Sequence, residues 1–170
     1  MRQITIIFFL VFFGLKVFSS SILIPMDDSQ KNHLKAYGIA FWTLERGVDV
    51  KWLLNYRGGS FMIDYVKELE NECLIRGVSF EVIADAKANL IVDEISSPSQ
   101  NMDVVPLQKA PKIAVYTPPN KQPWDDAVTM VLAYAEIPYD VVYDDEVLDE
   151  KLVLYDWLHL HHEDFTGQFG

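Results

Sequence analysis

The chain has 170 residues, half of them hydrophobic and 13% aromatic, which is enough to bury a real core. Its 25 acidic residues outnumber 14 basic ones, and the formal charge of −11 argues against nucleic acid or an anionic membrane surface as a partner. A single cysteine, Cys73, excludes an internal disulfide framework.

Residues 1–21 read as a secretory signal peptide. Arg2 gives a short positive start, residues 4–15 are almost wholly apolar, and Val17 and Ser19 fit the −3 and −1 positions of a cleavage site. Such a run is too short to span a bilayer, which takes about 20 residues. An uncleaved N-terminal anchor is the alternative, because Lys16 and Phe18 disturb the cleavage region. Loss of Arg2 and Lys16 leaves 12 basic against 25 acidic residues, a formal charge of −13. The expected location is the periplasm or another exported compartment, with no membrane association beyond the signal.

Residues 22–95 form the first expected α/β unit. Residues 21–25 read as a strand ending at Pro25, and Asp27, Asp28 and Ser29 are N-cap candidates for a helix carrying Leu34, Tyr37, Phe41 and Leu44, ended by Gly47. Residues 48–56 read as a strand, and Arg57, Gly58, Gly59 and Ser60 as a turn. Asp64 is expected to cap a second helix with Val66, Leu69, Cys73 and Leu74 inward, ended by Gly77. Residues 78–83 and 90–92 read as further strands.

Residues 96–111, polar and carrying Pro98, Pro106 and Pro111, read as a linker. The pattern restarts over 112–170 with a strand at 112–116, a helix at 124–136, a strand at 139–143, an acidic helical turn at 144–150 and a last strand at 152–160 whose buried part is Leu152, Val153 and Leu154. Strands alternating with helices predict an α/β fold with a doubly wound, mainly parallel sheet. Segments 22–52 and 113–143 repeat one strand–loop–helix–strand order at an offset of 91 residues. This suggests two flavodoxin-like units in tandem, against the ordinary likeness of any two such units.

Three of the four histidines gather at the C-terminal end of the last strand, in a run holding His159, His161, His162, Glu163 and Asp164. Alternation places His159 and His161 on one strand face. With Glu163 or Asp164 they have the chemistry of an acid–base site, and His159, His161 and Glu163 that of a divalent metal site. The opposing reading has the histidines bonded to loop backbone. Ligands of open α/β sheets bind where strands end, so Asp27 and Asp28, after the first strand, are candidate binding residues as well. Arg57, Gly58, Gly59 and Ser60 suit an anion held by backbone N–H groups and a guanidinium, although the P-loop lysine is missing. The acidic residues Asp144, Asp145, Glu146, Asp149 and Glu150 lack calcium-loop spacing and fit a solvated helix start. Cys73 falls on an apolar helical stripe and reads as buried and inert.

The segments 23–28, 33–38, 52–61 and 155–168 together resemble an exported Bacteroidota family that often carries the label asparagine synthetase B, over nearly all of the chain beyond its signal. Members of that family run well past residue 170, so the chain resembles the N-terminal part of a longer protein. From Lys112 onward it is also similar to the opening of class I glutamine amidotransferase-like domains. The label implies a cysteine nucleophile at position 2 and a Ser-Gly-Gly-x-Asp-Ser pyrophosphate loop. This chain has Arg2, and its Arg57-Gly58-Gly59-Ser60 lacks the aspartate and the second serine. The expectation is therefore an exported amidotransferase-like domain that binds a small molecule or a protein partner at its strand ends. A hydrolase of amides or glycans is the alternative, with Glu163 or Asp164 as base and a histidine as acid or metal ligand.

Overall fold

The computed structural model describes residues 20–97, 101–117 and 127–160. The expected signal peptide, His161, His162, Glu163 and Asp164 lie outside the described residues. Within them the fold is mixed α/β, with five α-helices and two sheets of opposite character.

The first sheet has five strands: β1 (Ser20–Ile24), β2 (Val50–Leu54), β3 (Ser60–Asp64), β4 (Glu81–Ala84) and β5 (Asp103–Leu107). Their order is β4-β1-β3-β2-β5 and every neighbouring pair is antiparallel. Three helices cover it: α1 (His33–Glu45), α2 (Lys67–Arg76) and α3 (Asp85–Ile95). Ile22, Ile24, Phe61 and Ile63 pack with α1 and α2, whereas Leu23, Leu53, Met62 and Ile83 pack with α3 on the other face. Burial on both faces explains why Ile22, Leu23 and Ile24 follow one another without a polar residue in β1.

The second sheet is small and parallel. It contains β6 (Ile113–Tyr116), β7 (Asp140–Val142) and β8 (Trp157–Leu160) in the order β7-β6-β8. Helix α4 (Ala127–Ala135) joins β6 to β7, and the short α5 (Asp144–Leu148) with a 3-10 turn at Lys151–Leu154 leads to β8. No helix among the described residues is long and apolar enough to cross a membrane.

The α/β class therefore holds, but the expected doubly wound, mainly parallel sheet does not describe the whole: the second sheet is parallel and the larger first sheet is antiparallel. Strand β3, read from sequence as a turn followed by a helix cap, inserts antiparallel between β1 and β2 and splits them. In the second unit β6 and β7 pair directly, so segments 22–52 and 113–143 differ in topology and the tandem flavodoxin-like reading fails for the first. The apolar residues 90–92 belong to α3, because Ala88, Ile91 and Ile95 are buried at helical spacing while Leu90 is 69% exposed. The expected linker carries β5, which pairs with β2. Pro106 is tolerated there because β5 is an edge strand. Leu152, Val153 and Leu154 form the 3-10 turn, with Val153 85% exposed, and β8 itself, at Trp157–Leu160, has no fully buried residue, so the expected buried strand is corrected. Asn32, rather than Asp27, Asp28 or Ser29, caps α1 by accepting from the Lys35 N–H at 3.1 Å. Val66, not Asp64, holds the capping position of α2.

Helix α1 joins the two units. Ala36, Ile39, Ala40 and Leu44 face the five-stranded sheet, and Phe41 packs with Ile113, Val115 and Leu132 of the second unit. Gly38 lies against the backbone of α4, so that a β-carbon at this position would run into the carbonyl oxygen of Ala135. Around this contact Asn32 donates to the Tyr134 hydroxyl at 2.7 Å, and Glu136 accepts from Lys35 at 2.5 Å and pairs with Arg76 at 3.1 Å. Gly38→Ala has only backbone to push against and should destabilise the protein by about 1–3 kcal/mol. A urea midpoint equal to that of the wild type would rule out this close approach.

Candidate functional site

Parallel strands send all their following loops out at one end, and in an open sheet the binding crevice lies where the strand order reverses. The order β7-β6-β8 reverses at β6, between β6 and β8. Four side chains mark that end. Thr117 directly follows β6, and its N–H donates to the Val142 carbonyl at 3.0 Å. The Thr117 side chain is buried, and its hydroxyl has no hydrogen-bond partner among the described residues. Tyr116 donates its hydroxyl to the Asp144 carboxylate at 2.6 Å, and its ring lies 5.3 Å from that of Tyr143.

His159 stands in β8 opposite Val115, half-buried, with its ring edge-on to Trp157 at 6.3 Å. Of the expected acid–base set His159, His161, Glu163 and Asp164 it is the one described residue. The same holds for the expected metal set His159, His161 and Glu163. Among the described residues, no three histidine, cysteine or carboxylate side chains are grouped to hold a metal ion. The acidic residues Asp144, Asp145 and Glu146 occupy the first turn of α5, where the Glu146 carboxylate accepts from the Tyr143 N–H at 3.0 Å. Carboxylates at a helix start are favoured by the helix dipole, and this use matches the solvated reading.

The second group sits at the opposite unit's strand ends. Arg57 lies in the β2–β3 turn, where Asn55, Arg57, Gly58 and Gly59 all have positive φ. Its guanidinium donates to Asp27 at 2.7 Å, to Glu81 at 2.6 Å and to the Ser29 hydroxyl at 3.2 Å. Asp27 also accepts from the N–H and hydroxyl of Ser29. The Arg57 carbonyl accepts from the Met26 N–H, and a β-carbon at Gly58 would strike the Met26 carbonyl, so only glycine fits there. Ser60 turns its hydroxyl back to the Tyr56 carbonyl at 3.0 Å. Asp27 is thus in direct contact with Arg57, with Gly58 and Ser60 in the same turn, and every one of the guanidinium's nitrogens is engaged by the protein itself. Asp28 is exposed beside this cluster. Glu81 completes the cluster from β4, a long-range contact that no local pattern in the sequence announces.

The hydrogen bond from Arg57, followed by that from Ser29, holds the Asp27 carboxyl well below the usual carboxylate range, and Arg57 lowers Glu81 in the same direction. A carboxylate whose folded pKa is depressed adds stability above its unfolded value and loses it as pH falls through the folded one. Acid destabilisation should therefore set in as pH drops below about 4, the ordinary carboxylate range. Asp27→Asn should flatten that acid limb in urea titrations run at successive pH values; an unchanged limb would show that Asp27 is not the group responsible.

Cys73, on the inner face of α2, is fully buried in the core shared with α1, and burial pushes its thiol up to about 12. Thiolate is the reactive form. The native protein should therefore not react with a disulfide reagent at pH 8, whereas the urea-unfolded chain should react with one equivalent; prompt native reaction would contradict the inert reading.

No family model, curated protein or solved structure matches this chain.

Proposed function

We propose that the chain is an exported α/β protein that binds a small polar molecule at the carboxyl ends of β6 and β8, with His159 beside that crevice. The observation that carries this reading is the reversal of strand order at β6 in a parallel sheet, the place where open α/β sheets take ligands. The buried hydroxyl of Thr117 and the Tyr116–Asp144 pair supply hydrogen-bonding groups at that same end. The apolar N-terminal run supports export, and the acidic surface of the mature chain disfavours polyanionic partners. The amidotransferase-like resemblance contributes a fold expectation for residues 112–170, and β6, α4 and β7 have the β-α-β order it implies.

The second reading is a metal-assisted hydrolase of amides or glycans, favoured by the position of half-buried His159 on β8 at the switch point. One experiment separates the two. Metal analysis of the purified protein is set beside that of a His159→Ala/His161→Ala double variant. Under the binding reading neither sample holds stoichiometric metal. Near-stoichiometric metal that disappears in the variant would transfer the assignment to the hydrolase. In a small-molecule screen by amide spectra, binding shifts should cluster at Tyr116, Thr117, Asp144 and His159; shifts confined to the Arg57 turn would remove the site from the second sheet.

A further inference from the structure

Helix α1 and the facing edges of the two sheets leave a cleft between the units. Its inner part is a cavity of about 340 Å³ walled by Tyr37 and Leu44 of α1, Trp52 and Phe61 of the first sheet, and Trp157 of β8. This lining is almost wholly apolar: the Trp52 indole N–H donates to the Gly59 carbonyl at 3.1 Å, and the Tyr37 ring stands edge-on to Phe61 at 5.5 Å. Tyr37 and Trp157 are nonetheless 47% and 43% exposed, so aromatic surface faces water here. Phe41, Leu44, Pro111 and Ile113 also line a second cavity, of about 450 Å³, and the two make one cleft. The outer part carries Glu45, Lys109, Lys112 and Asp140. Both volumes are of the size that takes a small molecule, and junctions between units are a preferred place for such sites. Ile113, Asp140 and Trp157 open β6, β7 and β8, so the cleft lies at the amino ends of the parallel strands, away from the crevice at their carboxyl ends.

The charges of the outer part leave one carboxylate over. Lys109 is held by both oxygens of Asp156 at 3.0 Å, and Lys112 by Asp140 at 3.6 Å, with the Lys112 ammonium 4.6 Å from the centre of the Tyr155 ring. Arg46, next to Glu45 in the chain, turns its guanidinium over the Trp42 ring at 3.6 Å and towards Glu68 at 3.9 Å. Glu45 itself has no ion pair or hydrogen bond from its side chain among the described residues. It closes α1, whose last turn holds no basic side chain. A carboxylate at the negative end of a helix dipole is unfavourable, and a cation placed there meets both the carboxylate and the last carbonyls. Aromatic walls attract cations as well. We infer that the cleft binds an organic cation, an ammonium group carried on an apolar body, with the body in the part lined by Trp52 and Trp157 and the ammonium beside Glu45. The chain's formal charge of −11 favours the approach of such a ligand.

The test uses two probes that share a phenyl body and differ in charge, phenethylammonium chloride and sodium phenylpropionate. Each is titrated into the full chain at matched ionic strength and followed by amide and indole N–H shifts. The ammonium should shift the indole signals of Trp52 and Trp157 and the amides of Leu44, Glu45 and Ile113 saturably, and should bind about fivefold tighter than the carboxylate. Glu45→Gln should bring the two probes to within about twofold of each other. The fold should tolerate that change, since Glu45 is exposed at a helix end. Trp157→Ala should weaken the ammonium about threefold or more, because part of the aromatic wall is lost. Equal or tighter binding of the carboxylate, or a preference for the ammonium that survives Glu45→Gln, would overturn the organic-cation site. So would the absence of saturable shifts with either probe, and so would cleft signals that move with protein concentration alone, the mark of a second copy seated there.

Discussion

The structure depends on one helix being buried on two sides. Helix α1 closes the core of the antiparallel sheet with Ala36, Ile39, Ala40 and Leu44, and with Phe41 it reaches the apolar layer of the parallel sheet. Each fully buried large apolar side chain contributes about 1.5–3 kcal/mol. The partly exposed ion pairs beside it contribute about 0–1 kcal/mol each. The apolar contact therefore holds the units together, and Lys35, Arg76 and Glu136 fix how they are turned. Gly38 makes the joint possible, since α4 lies directly against its backbone.

The two sheets have different capacities for chemistry, and topology is the reason. In the antiparallel sheet consecutive loops leave at opposite ends, so few polar groups collect in one place. Where they do collect, around Arg57, the charges neutralise one another: Asp27 and Glu81 flank the guanidinium, and Ser29 takes its remaining nitrogen. A positive-φ turn holds the group in position. The arrangement ties the exit of β1 to the entry of β4 and acts as a clasp. The parallel strands all point their carboxyl ends the same way, and there a buried hydroxyl has no partner among the described residues while a tyrosine holds a carboxylate.

This contrast changes the weight of the residues that the sequence brings forward. Arg57, Gly58, Gly59 and Ser60 look like an anion turn when read alone, because a guanidinium beside two glycines is a plausible cradle. The carboxylates that satisfy Arg57 come from residues 27 and 81, far along the chain on either side, and local reading does not see them. Thr117 is the converse. A threonine before Pro118 and Pro119 carries no motif, and its interest arises from burial and from the lack of a hydrogen bond among the described residues. Its one sequence signal is its position directly after a strand that opens an α/β unit.

From the sequence alone, local chemistry was legible. The 3.6-residue period of Leu34, Tyr37, Phe41 and Leu44 with Gly47 behind it located α1, Gly77 ended α2, and the spacing of residues 113–142 gave the β-α-β order of the second unit. Those features are set by neighbours within one or two turns of chain, so composition and period determine them. Strand partners are not set that way. A β-strand is stabilised by hydrogen bonds to residues that any distance of chain can supply, so the insertion of β3 between β1 and β2, the recruitment of β5 from an apparent linker, and the antiparallel character of the larger sheet were decided by tertiary packing. The same distance rule governs the two polar sites: whether Arg57 is free or clasped, and whether Thr117 is paired or orphaned, depends on which strands become neighbours.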